Sequence, residues 1–166
     1  VCKIGDIYYS TLDEAISMAI PGDQIDLLKN IELDEGLTFN NKTLTISGGG
    51  TRTLTLNQNG MYASHSDITF KDLTLNIYAH THTHEGGAGG TANLITSTNL
   101  RLDDVNFELI SDTPNANGAG LYMERGSNLY LDNGTYAVIR DFNGYDASGI
   151  YAEQTNYDPN EGKIEI

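Results

Sequence analysis

Residues 79–85 read AHTHTHE and set three of the chain's four histidines, His80, His82 and His84, on alternate positions ahead of Glu85. In an extended strand, alternate side chains share a face roughly 6–7 Å apart. Three imidazoles and a carboxylate so placed are a donor set for zinc or nickel if the strand bends. The glycine run that follows, GGAGG, equally suits a polar insertion between two strands. A second cluster, RLDDV, offers Arg101, Asp103 and Asp104. Leu102 and Val105 are expected to point inward, which turns Arg101 and one aspartate outward, as carboxylate-based catalysis requires. Asx residues also fill bends between strands, so the same dipeptide serves a turn.

The tyrosines suggest a third kind of site. GMYAS (60–64), NLITS (93–97), GLYME (120–124) and GIYAE (149–153) align with one another. With Met61, Leu94, Leu121 and Ile150 toward the core, Tyr62, Ile95, Tyr122 and Tyr151 form an outward column, with neighbours about 4.8 Å apart if equivalent strands stack. Tyr130, expected beside Arg101 and Thr69, widens it. Such an aromatic strip suits sugar rings or a protein partner. It also suits a ladder that stabilises the stacking of strands. Glu124, Asp146 and Glu153 border the strip and favour a cationic or calcium-bridged ligand.

The elements that must hold these residues are repeats. DITFKDLTLNI (67–77), NLRLDDVNFEL (99–109) and NLYLDNGTYAV (128–138) superpose Ile68, Leu100 and Leu129, then Phe70, Leu102 and Leu131. Leu75, Phe107 and Tyr136 follow, then Ile77, Leu109 and Val138. The segments at 60, 93, 120 and 149 start at unequal intervals, and the longest interval contains the histidines. Insertions therefore fall between strands.

Each copy alternates apolar and polar residues between Gly, Asn and Asp, the pattern of short strands with one face buried. One copy cannot bury that face, whereas stacked copies share a continuous interior. Ahead of them, YYSTLDEAISMAIPGD has Ser10 as a helix N-cap, Leu12, Ala15, Ile16 and Ala19 on one face, and Pro21-Gly22 as a stop. The expected architecture is all-β: a right-handed parallel β-helix solenoid whose first coil is covered by an N-terminal amphipathic helix. A single domain spans residues 1–166, with residues 1–23 as the cap, its helix over about 11–20, and coils over 24–166. EGKIEI sets Ile164 and Ile166 where Leu129 and Leu131 stand and then stops, so the last coil is expected to be incomplete and the chain a piece of a larger protein.

Composition narrows the function. With 23 Asp and Glu against 9 Lys and Arg, the formal charge of −14 repels nucleic-acid phosphates and anionic membranes. No apolar run approaches the ~20 residues that span a bilayer, so no membrane insertion is expected. Cys2 is the only cysteine, which leaves no internal disulfide and no cysteine knuckle for zinc. The acidity is compatible with calcium, although no contiguous D-x-[DN]-x-[DN]-G loop occurs.

Residues 4–48, IGDIYYSTLDEAISMAIPGDQIDLLKNIELDEGLTFNNKTLTISG, resemble the opening of right-handed parallel β-helix domains in large secreted or wall-anchored proteins of Gram-positive bacteria. GLYMERGSNLYLDNGTY resembles their coil repeat, so the likeness covers nearly the whole chain. It implies an extracellular location on a bacterial surface, a host glycoprotein or glycan as partner, and an adhesive or presenting role without catalysis. The helix with EAI followed by PGD and a strand also resembles the start of pectate lyases and pectin methylesterases. That likeness implies a carbohydrate-active enzyme on acidic polysaccharide, with Arg101, Asp103 and Asp104 as its constellation. Of the polygalacturonase motifs only a bare Asp-Asp is present.

Overall fold

A computed structural model describes residues 1–57, 60–79, 93–111, 118–124, 126–142, 147–152 and 164–165. The chain opens with an antiparallel hairpin of β1 (Cys2–Ile4) and β2 (Ile7–Tyr9). A helix, α1 (Leu12–Met18), leads to β3 (Asp23–Leu27) and β4 (Ile31–Leu33). Then come β5 (Leu37–Asn40), the long β6 (Thr43–Leu56), β7 (Met61–Ser64), the long β8 (Asp67–Ala79) and β9 (Leu94–Thr96). The long β10 (Asn99–Ser111) precedes β11 (Gly118–Met123), β12 (Asn128–Asp132), β13 (Tyr136–Arg140), β14 (Ala147–Ala152) and β15 (Ile164–Glu165). The described chain is thus β throughout apart from one short helix.

From β5 onward the chain alternates between two sheets and adds parallel strands to each in sequence order. β5, β7, β9, β11 and β14 make a five-stranded sheet, and a ten-stranded sheet runs β15-β12-β10-β8-β6-β3-β1-β2 with β4 and β13 alongside. Among the described residues, only the pairings of β1 with β2 and β3 are antiparallel. Corners recur at fixed places. Asn41, His65, Ser97 and Gly126 have positive φ and follow the strands of the smaller sheet. Asp72, Asp104 and Asn133 have φ of 49°, 54° and 49° and divide the longer passes into two straight segments. Asn and Asp tolerate this region because their short polar side chains bond locally. Each circuit therefore has three sides.

Behind the first corner a hydroxyl follows, buried at Ser66, Thr98 and Ser127. Ser66 Oγ accepts from Lys42 N at 3.0 Å, Thr98 Oγ1 from Ser66 N at 3.1 Å and Ser127 Oγ from Thr98 N at 3.4 Å. The bend breaks the backbone ladder, and these hydroxyls satisfy the freed N–H groups one circuit at a time.

The interior follows the expected columns for most of its length. Leu44, Ile68, Leu100 and Leu129 lie in register and are buried, as do Ile46, Phe70 and Leu102. Leu54, Leu75 and Phe107 stack on the third side, and Leu56, Ile77 and Leu109 beside them. Ile164 pairs with Leu129 as expected.

Two expectations fail by one residue. Phe107 pairs with Ala137 and Leu109 with Ile139, so neither Tyr136 nor Val138 continues its column. The cause is Gly134, an extra corner residue at φ 82°, which lets Thr135 stand opposite Val105 and accept its N–H at 3.2 Å. A one-residue slip turns every later side chain to the other face. Tyr136 accordingly pairs with Asn106 and is exposed. Ile139 of β13, 43% exposed, packs against Gly149, and Phe142 beyond the strand packs against Gly120, where an added Cβ would collide with each side chain.

The helix is also shorter than expected, and its N-cap is Thr11 rather than Ser10. Thr11 Oγ1 accepts from Glu14 N at 3.1 Å, the usual N-cap bond, and the Glu14 carboxylate accepts from Ser10 N at 3.1 Å, one residue ahead of the cap. Ala19 is already extended at the other end. Lys42 Nζ donates to the carbonyls of Ser17 and Ala19 at 3.0 and 3.2 Å, a cation where the helix leaves acceptors unpaired. Leu12, Ala15 and Ile16 are buried as the periodicity predicts. Through them α1 packs on β1, β2 and β5, across the first strands of both sheets. Cys2 is buried there, and desolvation raises its thiol pKa against the pull of the N-terminal ammonium. It packs as an apolar residue.

Candidate functional site

The outer face of the five-stranded sheet follows from strand alternation. Met61 and Ala63 in β7 and Leu121 and Met123 in β11 are buried, so Tyr62 and Tyr122 stand outside. Tyr62 pairs with Leu94, Leu94 with Tyr122, and Tyr122 with Tyr151. Tyr62 is 39% and Tyr151 47% exposed. The rings of Tyr122 and Tyr151 stack with centroids 5.1 Å apart and planes 27° from parallel. A second outward column lies two residues further on, with Asn40, Ser64 and Thr96 in register. Glu124 extends it, its N–H donating to Ile95 O at 2.8 Å.

Ile95 is not part of the exposed column. It is fully buried and pairs with Ala63 and Met123, and Leu94 takes the outward position. Aligning NLITS to GMYAS by first residues set this strand one position out of register. Immediately before the strand stands Asn93, fully buried beside Met61. Its Oδ1 accepts from Met61 N at 2.6 Å and its Nδ2 donates to Gly120 O at 2.6 Å. A side-chain amide thus stands where its neighbours carry apolar groups, and it bonds the strands on either side.

Tyr130 sits on the other sheet, in register with Arg101, which itself pairs with Thr69. The Arg101 guanidinium lies 4.4 Å from the Tyr130 ring centroid and forms an ion pair with Asp132. Tyr130 therefore belongs to a charged cluster on a different face and does not widen the tyrosine column. Asp103 lies in register with Asp132 and Lys71, its carboxylate 3.7 Å from Lys71 Nζ and accepting from Asn133 Nδ2. Leu102 and Val105 point inward as expected. Asp104 takes the left-handed corner, exposed, and is not paired with Asp103 as a catalytic couple would be. The partner that faces Asp103 is Asp132, one circuit on. The repeat alignment already set these two opposite each other, and that was the signal for it.

The proposed metal ligands His80, His82, His84 and Glu85 lie outside the described residues, as do Asp146 and Glu153. His65 is an exposed corner residue whose Nδ1 is 2.8 Å from Ser64 Oγ. Among the described residues, no three or more His, Cys, Asp or Glu side chains come together as a metal site. No helix among them is long and apolar enough to cross a membrane. Compared with family models, curated proteins and solved structures, the chain matches none.

Proposed function

We propose that the chain is a right-handed parallel β-helix that serves as a non-catalytic, extracellular module of a bacterial surface protein and binds a glycan or a glycosylated host protein. Parallel strands added one per circuit to each sheet support the architecture, and crossover connections between parallel strands of one sheet are almost always right-handed. The observation that carries the function is the outward column of Tyr62, Leu94, Tyr122 and Tyr151, apolar and aromatic on a chain of net charge −14. Against catalysis, Asp103 is engaged by Lys71 and Asn133, and Asp132 by Arg101. Fold by itself does not choose a function.

The test is binding of the labelled domain to arrays of glycans and host glycoproteins, alongside a variant with Tyr62, Tyr122 and Tyr151 all changed to Ala. Saturable binding at least tenfold weaker in a variant of unchanged circular dichroism is expected. Absence of binding by the unaltered domain at high concentration would remove the adhesive role and leave the segment as a presenting stalk.

A second reading is a pectinase-like enzyme, favoured by one observation: Arg101, Asp103 and Asp132 share neighbouring positions on one face. It predicts new reducing ends, methanol or an unsaturated product from acidic polysaccharides, abolished by Asp103→Ala and by Asp132→Ala. No such product is expected, because a strongly negative surface repels an anionic polymer.

A further inference from the structure

Tyr122 and Tyr151 occupy adjacent rungs of the outward column and stack at 5.1 Å. Tyr62 and Tyr122 flank β9 on its two sides, so their positions are two strands, or roughly 9.6 Å, apart. The rung between them is Leu94, whose side chain is shorter than a tyrosine's. The column is therefore one ring short at this place. Two strand separations between outward tyrosines correspond to the thickness of one intervening ring, and Leu94 lies beneath that place. Two residues along the same strands, Ser64, Thr96 and Glu124 bring two hydroxyls and a carboxylate to one end of the slot.

We infer that this slot receives one pyranose ring of a neutral or amino-sugar glycan, an inference that rests on the glycan-binding reading of the same face. A pyranose with equatorial substituents has apolar C–H faces and a polar rim. Standing edge-on between Tyr62 and Tyr122, it buries both faces against aromatic rings, while its rim meets Ser64, Thr96 and Glu124. Charge decides the class of sugar. Among the described outward positions of this sheet there is one carboxylate, Glu124, and no cation. An ammonium or a hydroxyl finds a partner there, whereas the carboxylate of a uronic or sialic acid meets repulsion at short range and from the whole chain.

Titration calorimetry with tetrasaccharides of glucosamine, N-acetylglucosamine, glucose and galacturonic acid tests this on the unaltered domain and on Leu94→Tyr. The substitution supplies the missing ring at an outward, half-buried position, so the fold is retained and the slot is filled. The first three sugars are expected to bind, glucosamine most tightly, with galacturonic acid at least tenfold weaker. In Leu94→Tyr all binding is expected to fall at least tenfold, with unfolding temperature equal or higher. Sugar binding that survives Leu94→Tyr but is lost in the triple tyrosine variant overturns the slot and leaves the wider reading of the face standing. If no tetrasaccharide binds, the sugar slot is overturned. In that case, binding to a protein-coated surface that Leu94→Tyr abolishes identifies an aromatic side chain as the occupant.

Discussion

Phe70→Ala is expected to cost about 3–5 kcal/mol, the range for removing a fully enclosed aromatic side chain. Phe70 has no exposed surface and lies in register between Ile46 and Leu102. Its ring meets Phe39 edge-on, with centroids 6.4 Å apart and planes 82° from one another. Phe39 belongs to the five-stranded sheet and Phe70 to the ten-stranded one, so this pair joins the two sheets across the interior. Edge-to-face pairing adds about 0.5–1.5 kcal/mol beyond area burial. Neighbouring circuits cannot close the cavity without moving their own backbones, because each is bonded to the next along its length. Urea unfolding should show a lowered midpoint that corresponds to that loss when multiplied by an unchanged slope. A loss below about 1 kcal/mol would mean that the interior collapses around the gap and that the two sheets do not depend on this contact.

The second large effect is expected at Asn93→Ala, by a different mechanism. The volume lost is small, but Met61 N–H and Gly120 C=O lose their partners inside the protein. Each buried group left unpaired costs roughly 1–3 kcal/mol, so about 2–6 kcal/mol is expected in all. Asn93→Leu separates volume from bonding. It fills the space but offers neither acceptor nor donor, and should be no better than alanine. Hydrogen exchange at the Met61 amide supplies the local readout, because that proton loses its acceptor in both variants and should exchange faster by more than the global change in stability. If leucine restores stability and protection, packing and not the amide is what the site needs.

Most of the architecture was legible in the residues. Alternation of apolar side chains across three copies identified Ile68, Leu100 and Leu129, and Phe70, Leu102 and Leu131, as inward columns, and all are buried except Leu131, which is partly buried. The periodicity of Leu12, Ala15 and Ile16 located the helix, though Ser10 and Thr11 were equally good caps by residue type. Thr11 becomes the cap because its hydroxyl accepts from Glu14 N, while the Glu14 carboxylate holds the Ser10 N–H one residue earlier. The candidate site was legible in outline only. Tyr62, Tyr122 and Tyr151 share a column, as their common position after a small-apolar pair suggested. Ile95 and Tyr130 do not belong to it, and Leu94 does.

Tyr130 misleads because a corner puts its strand on the other sheet, whereas the errors at β9 and β13 are both errors of register. A strand's side chains repeat every two residues, so register rests on the number of residues that each connection consumes. Gly134 adds one residue to a corner without changing the apolar pattern that follows, and β13 is displaced by one as a result. β9 has three residues, too few for alternation to choose a register, and Asn93 gives no apolar signal for an inward position because its bonds come from strands on either side.

The amino-acid sequence by itself determined what each residue type and local spacing could encode: the alternation that makes strands, the repeat that stacks them, the amphipathic helix and the acidic surface. Only the tertiary structure decided where the repeats slip against one another: Leu94 and not Ile95 stands between two tyrosines, Phe107 meets Ala137 and not Tyr136, and Tyr130 lies on the other sheet. Those pairings depend on corner geometry summed over distant parts of the chain, and no local pattern carries that sum.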